Sequence, residues 1–321
     1  MIAALASADA VTWISILVKT LAYTATLVAA GSVMVMIWLR ELTEDARGAL
    51  RRIAVIGALA AAVLSVLRLP VRASFLMGGS IDGAFDPMML GIVVDSPLGT
   101  SVAVRLIGLA LILTILLPVR GARWIALAGA LMTCTSFALR GHALGDPRLL
   151  LGALVTVHLA GLAFWLGAFA PLSRATRRES PAKAGALAYE FGTKAFWVVA
   201  ALVAAGAVTL VLLVSATLEA LSAPYGQAFL IKLALFVGVL GLAALNKVRL
   251  TPDLQAAVPG AAQRLRRSIA VESALVLAIL ATTAALTTVT SPPSEQTKSA
   301  SPKPTSVQSA AHVTGKFQWR S

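Results

Sequence analysis

Eight long apolar runs dominate this chain, and no other feature limits its fold as strongly. Their approximate bounds are 13–39, 52–69, 98–118, 122–140, 149–170, 194–218, 226–246 and 268–290. As helices, runs of this length match the roughly 30 Å hydrocarbon core of a bilayer. Inside that core a backbone amide meets no water, so a spanning segment has to satisfy its hydrogen bonds internally. The expected fold is therefore all-α: a polytopic membrane protein of about eight transmembrane helices. Composition agrees, since 58% hydrophobic against 13% charged residues leaves too little polar surface for a soluble protein of 321 residues.

The net charge of +13 raises the question of a nucleic-acid partner, and its distribution answers it. Arg40, Arg47, Arg51 and Arg52 follow the first span, and Arg120 and Arg123 separate the third and fourth. Arg174, Arg177, Arg178, Lys183 and Lys194 follow the fifth; Lys247, Arg249, Arg264, Arg266 and Arg267 follow the seventh. The alternate connections hold only Arg68, Arg72, Arg140 and Arg148. This asymmetry is the positive-inside rule, which orients both termini outside the cytoplasm. The basic loops thus set topology, and no nucleic-acid partner is expected. The leading ALASADA segment has no basic region before it, so the first span is expected to stay in the mature protein. Residues 291–321, rich in Ser, Pro, Lys and Thr, read as a disordered external tail behind a transmembrane domain of residues 1–290.

A faint duplication runs through the spans. Pro97, Gly99 and Arg105 lead into the third span with the same spacing as Pro224, Gly226 and Lys232 into the seventh. Ala22 precedes Gly31 by the same interval as His158 precedes Gly167, and Arg123 opens the fourth span much as Arg267 opens the eighth. An even number of spans per half keeps both halves in one orientation, so a parallel four-plus-four repeat about an axis along the membrane normal is expected.

The residues able to do chemistry are few. His142 and His158 lie in an apolar stretch, and the third histidine, His312, lies in the tail. An imidazole in a hydrocarbon-embedded helix needs a partner or a role. His158 is about 14 Å into the fifth span at 1.5 Å per residue, with Leu162 and Trp165 on its face, and His142 lies at the outer end of the fourth. Cys134 and Met132 are expected at similar depth to His158. Imidazole, thiolate and thioether together form a soft ligand set suited to Cu(I). The loop of residues 75–97 adds Met77, Met88, Met89 and Asp95 as a weak outer capture site. Arg105 and Lys232 are expected either to snorkel outward or to line a path. Glu272 is expected to pair with Asn246 or Lys247. A lone cysteine excludes a disulfide framework, and no nucleotide loop, zinc-protease helix or nucleophile elbow occurs, so no enzyme is expected.

The turn Gly141-His142-Ala143, the His158-Leu159-Ala160-Gly161 core with Trp165-Leu166-Gly167, Tyr225-Gly226 with Lys232-Leu233, Asn246-Lys247, and Arg266-Arg267 with Glu272 together resemble the copper resistance D family. The resemblance covers roughly residues 13–290. It implies copper handling in the bacterial inner membrane, with copper ion as the species bound and a periplasmic copper-binding protein as partner beside the lipid bilayer. Both termini would then be periplasmic, and His142 and His158 match the family's histidines in the fourth and fifth spans. One departure stands out: where the family has histidine in a Leu-His-Tyr context, this chain has Leu21-Ala22-Tyr23. That ligand is then missing, or supplied by Met34, Met36 or the methionine-bearing loop. The reading is copper transport between the helical halves, with outer capture by Met77, Met88, Met89 and Asp95, His142 at the mouth, His158 inside, and Cys134 and Met132 as further donors. A haem- or quinone-linked redox protein, with histidines as axial ligands, is the alternative from another class. A non-transporting membrane partner of a periplasmic copper carrier is a third.

Overall fold

The computed structural model describes residues 8–141, 145–213 and 224–289. Its α-helices, in chain order, are α1 (Ala10–Trp38), α2 (Glu44–Leu76), α3 (Ile81–Phe85), α4 (Pro87–Val94), α5 (Pro97–Ile112), α6 (Ala122–Thr135), α7 (Arg148–Arg178), α8 (Pro181–Leu213), α9 (Pro224–Leu245), α10 (Thr251–Gln255) and α11 (Ala261–Val289). Short 3-10 turns extend α5 and α6, and a π-turn at Asn246–Leu250 joins α9 to α10. No strand occurs among the described residues. Eight helices are long and apolar enough to cross a membrane, in the order expected: α1, α2, α5, α6, α7, α8, the α9–α10 run and α11. The protein is an all-α polytopic membrane protein. The expected tail of residues 291–321 lies outside the described residues, as does His142.

Local sequence sets where these helices start. Asp9 accepts from the Thr12 amide at 2.8 Å to cap α1, and the Thr12 bonds hold its carboxyl below the usual range. Thr43 caps α2, whose first turn carries Glu44 and Asp45 against the positive helix end. Asp86 and Ser96 cap α4 and α5, each followed by a proline whose missing N–H costs nothing at that position. These caps are why the expected loop of residues 75–97 is instead partly helical.

Small residues bring the helices together. Helices in lipid gain little from apolar burial against one another and associate by close backbone packing. A methyl group on Gly31 would fall 1.8 Å from the Ala163 carbonyl oxygen, and one on Gly167 would fall 2.3 Å from the Gly31 carbonyl carbon. Helices α1 and α7 therefore cross backbone to backbone. Gly108 of α5 and Gly129 of α6 meet in the same way. Large apolar side chains such as Ile56, Leu59, Val63 and Val66 of α2 point outward, which suits a hydrocarbon surround.

The neighbour pattern is duplicated. In the first half α1 packs on α2 and α6, and α5 packs on α6; in the second α7 packs on α8 and α11, and α9 packs on α11. Across the halves α1 meets α11 as α7 meets α6, while α1 and α7 meet each other. The Gly31–Gly167 crossing joins two positions that the sequence repeat had paired. The neighbour pattern is the one a four-plus-four repeat would give.

At the end opposite Asp9 and Val289, here called the basic end, ion pairs fasten the halves together. Arg174 of α7 binds Asp45 of α2 through two bonds of 2.6 and 2.7 Å. Glu190 of α8 accepts from the Arg40 and Glu41 amides beyond α1. Lys194 donates to Glu190 at 2.6 Å and to the Trp38 carbonyl. The polar faces making these contacts explain why α7 and α8 run past the apolar stretches expected at 149–170 and 194–218.

Candidate functional site

Helix α7 carries His158 ten residues past Arg148, about 15 Å along its axis. The imidazole is half-buried and faces α8, against the Leu202 backbone. Gly206 of α8 lies opposite Nδ1: a methyl there would stand 3.9 Å from that atom. One turn on, a methyl at Gly161 would come within 3.1 Å of Val198, so the α7–α8 seam is tight just beyond the histidine. Lys232 of α9 is near enough to act on the imidazole electrostatically. A neutral imidazole is competent to ligate a soft or borderline metal.

The first half holds a different assembly toward the same end of the bundle. Tyr23 of α1, buried to 8% exposure, accepts a 2.8 Å bond from Arg140, which follows the 3-10 turn after α6. Arg68 of α2 and Arg140 both lie over the Tyr23 ring, each 5.5 Å from its centroid. Arg105 of α5 is wholly buried and lies 4.1 Å from the Phe137 centroid. Its Nε donates to Ser136 at 3.0 Å and an Nη donates to Ser101 at 3.4 Å. Lys19 of α1 donates to Thr287 and Thr288 of α11 nearby. Sequence reasoning had put Arg68 and Arg72 in a connecting loop. Both lie inside α2, which runs eight residues beyond Arg68 to Leu76. Arg105 does not snorkel either: aromatic and hydroxyl partners draw its guanidinium inward.

At the basic end a cavity of about 410 Å³ opens between α7, α8, the α9–α10 run and α11. Its wall is mostly apolar, with Trp165, Asn246, Lys247, Thr251 and Glu272 as the polar exceptions. Glu272 is 3% exposed and accepts a 2.8 Å bond from Asn246 Nδ2. That pairing matches the sequence expectation, whereas Lys247 instead lies over the Phe196 ring at 4.6 Å. Asn246 opens the π-turn, and such a turn re-aims side chains out of the α-helical pattern, often at functional sites. Trp165 stands two turns from His158 on one face of α7, so that face runs from the histidine into the cavity.

The remaining expected ligands are scattered. Met77 follows α2, and Met88 and Met89 lie on α4; Met77 and Met88 are 47% and 72% exposed. Asp95 caps the end of α4 and is exposed. Cys134 of α6 is fully buried in the core and feels Arg105, a different seam from the one that holds His158. Met132, two residues earlier, points away from Cys134 across the helix and is half-buried. Among the described residues no group of three or more His, Cys, Asp and Glu gathers as a ready-made metal chelate. Ala22 is wholly buried. Met34 and Met36 stand twelve and fourteen residues beyond it, about 18–21 Å down α1, and so cannot serve at its level.

Sequence reasoning missed the Tyr23–Arg68–Arg140 contact. The available signal was the presence of Arg68 and Arg72 two residues either side of Pro70, in a segment otherwise apolar enough to continue α2.

Two family models match the chain. One, described as Copper resistance protein D-like, N-terminal domain, matches residues 7–148. The other, described as Copper resistance protein D, matches residues 185–286. The first ends where α7 begins, at the boundary between the two halves, and His158 falls between the two matches. No curated protein and no solved structure matches the chain.

Proposed function

The chain belongs to the copper resistance D family, and from that premise we propose that it carries copper ions across the bacterial inner membrane, with His158 as the buried ligand of the path. The observation that supports this most directly is the half-buried imidazole on the α7–α8 seam, held opposite Gly206 and against the Leu202 backbone. Copper is the cargo here, and the protein performs no covalent chemistry on it. Thioethers at Met77, Met88 and Met89 beside Asp95 form a weak, exchangeable capture surface at the periplasmic face, and His142 receives the ion at the mouth. Cys134 and Met132 are secondary donors, reached only if α6 and α7 move apart. Both termini lie in the periplasm, in keeping with the basic residues at the other end. A periplasmic copper-binding protein delivers or collects the ion there.

The experiment is copper flux into proteoliposomes containing this chain alone. His158→Ala is expected to abolish flux while the protein still inserts and keeps its helical content. Wild-type flux in that variant would overturn the assignment of the ligand. Absence of flux in the wild type would instead favour a docking role beside a copper carrier.

A further inference from the structure

We propose that Arg68, Arg105, Arg140 and Tyr23 form a binding site for a phosphate oxyanion, within the end of the bundle that carries Asp9 and Val289. Four helical elements deliver these groups: Tyr23 from α1, Arg68 from α2, Arg105 from α5, and Arg140 after α6. Arg105 is wholly buried and Arg68 is 7% exposed. Nη1 of each is buried and has no hydrogen-bond partner among the described residues. The ion pairs seen among the described residues engage none of these arginines. Among the described residues, therefore, no carboxylate ion pair holds the cluster.

The donor inventory defines the missing partner. Arginine has five N–H donors and no acceptor. The Tyr23 oxygen already accepts from Arg140 at 2.8 Å, which leaves its own proton to donate. Two buried guanidinium Nη1 groups thus have no acceptor among the described residues, and the Tyr23 ring lies 5.5 Å from both the Arg68 and the Arg140 guanidinium beside them. Such a set of donors requires an acceptor with several oxygens and at least one negative charge, and planar guanidinium groups match the oxygens of phosphate well. A metal cation is excluded from this position by the same charges.

Phosphate oxygens have two sources, a phospholipid headgroup and free phosphate. Arg140 is half-buried and Arg72, a turn from Arg68, is exposed, so the cluster is deep at Arg105 and open toward the membrane surface. The site is independent of the copper path, whose proposed ligand lies on α7.

The test uses full-length protein delipidated in a sugar-based detergent. Its unfolding midpoint is followed against phosphatidylglycerol in mixed micelles and, separately, against inorganic phosphate. A ligand of the folded state raises that midpoint in a saturable way. The expected result is a saturable rise in wild type, with apparent affinity reduced at least tenfold in Arg68→Gln and Arg140→Gln. Arg140→Gln, at a half-buried position, keeps the test valid if Arg68→Gln fails to fold. A rise with phosphatidylglycerol alone identifies the headgroup, and a rise with both identifies the free oxyanion. No rise with either, or equal affinity in Arg140→Gln, overturns the proposal. So does a tyrosinate absorbance at neutral pH that is lost in Tyr23→Phe, because the cluster would then supply its own anion.

Discussion

At the scale of single residues, the absence of a side chain at Gly206 sets the room His158 has. A methyl there would make ordinary contact with Nδ1, at 3.9 Å, so Gly206→Ala is expected to transport copper nearly as wild type does. Gly206→Leu would project three further carbons toward the ring and force it off its rotamer. Flux in proteoliposomes is expected to fall toward the level of His158→Ala, with insertion unchanged. Full flux in Gly206→Leu would show that the α7–α8 face of the imidazole is not used. His158 itself was legible in the sequence because histidine is rare in hydrocarbon and expensive there. The arginine cluster was not, because its parts are far apart in the chain: Arg140 and Tyr23 are 117 residues apart. Arg68 was also misplaced, since an arginine ends an apolar run in a hydropathy reading even when its helix continues around it.

Elements were legible as far as hydropathy carries. All eight spans stand where the apolar runs put them, but their ends depend on polar contacts that periodicity does not encode. The first turns of α8 are an example: they exist to hold the loop after α1 through Glu190 and Lys194. The repeat was legible from paired glycines, and its packing meaning emerged only when Gly31 and Gly167 met. That crossing yields a prediction for α1 and α7 together. In Gly31→Ala the new methyl would sit 1.8 Å from the Ala163 oxygen, an overlap that no rotamer relieves. The helices must separate, at a cost of about 3 kcal/mol. The variant is expected to give a lower unfolding midpoint and poor yield, measured in detergent against wild type. Gly48→Ala is the control, because a methyl there meets nothing within 4 Å. Equal midpoints for the two variants would mean that α1 and α7 do not cross as described.

For the whole molecule, the two halves place different ionisable groups at corresponding positions. The first half concentrates Arg68, Arg105 and Arg140 around Tyr23, a field hostile to a cation. The second half holds His158 at the corresponding place and, at the basic end, a buried carboxylate on Glu272. On the proposed copper path, the ion would follow the α7 side, from His158 past Trp165 into the cavity lined by Glu272 and Asn246. Glu272→Gln separates that role from a merely structural one. The amide oxygen of glutamine still accepts the Asn246 bond, now 2.8 Å long, so packing and insertion are expected to persist. What is lost is the carboxyl group's capacity to ionise beside a cation, and copper flux is expected to fall several-fold. Because the effect is electrostatic, Glu272→Asp, one methylene shorter with the carboxyl kept, is expected to retain more flux than Glu272→Gln. Equal flux in Glu272→Gln and wild type would confine the residue to holding the π-turn, and would move the path away from this cavity.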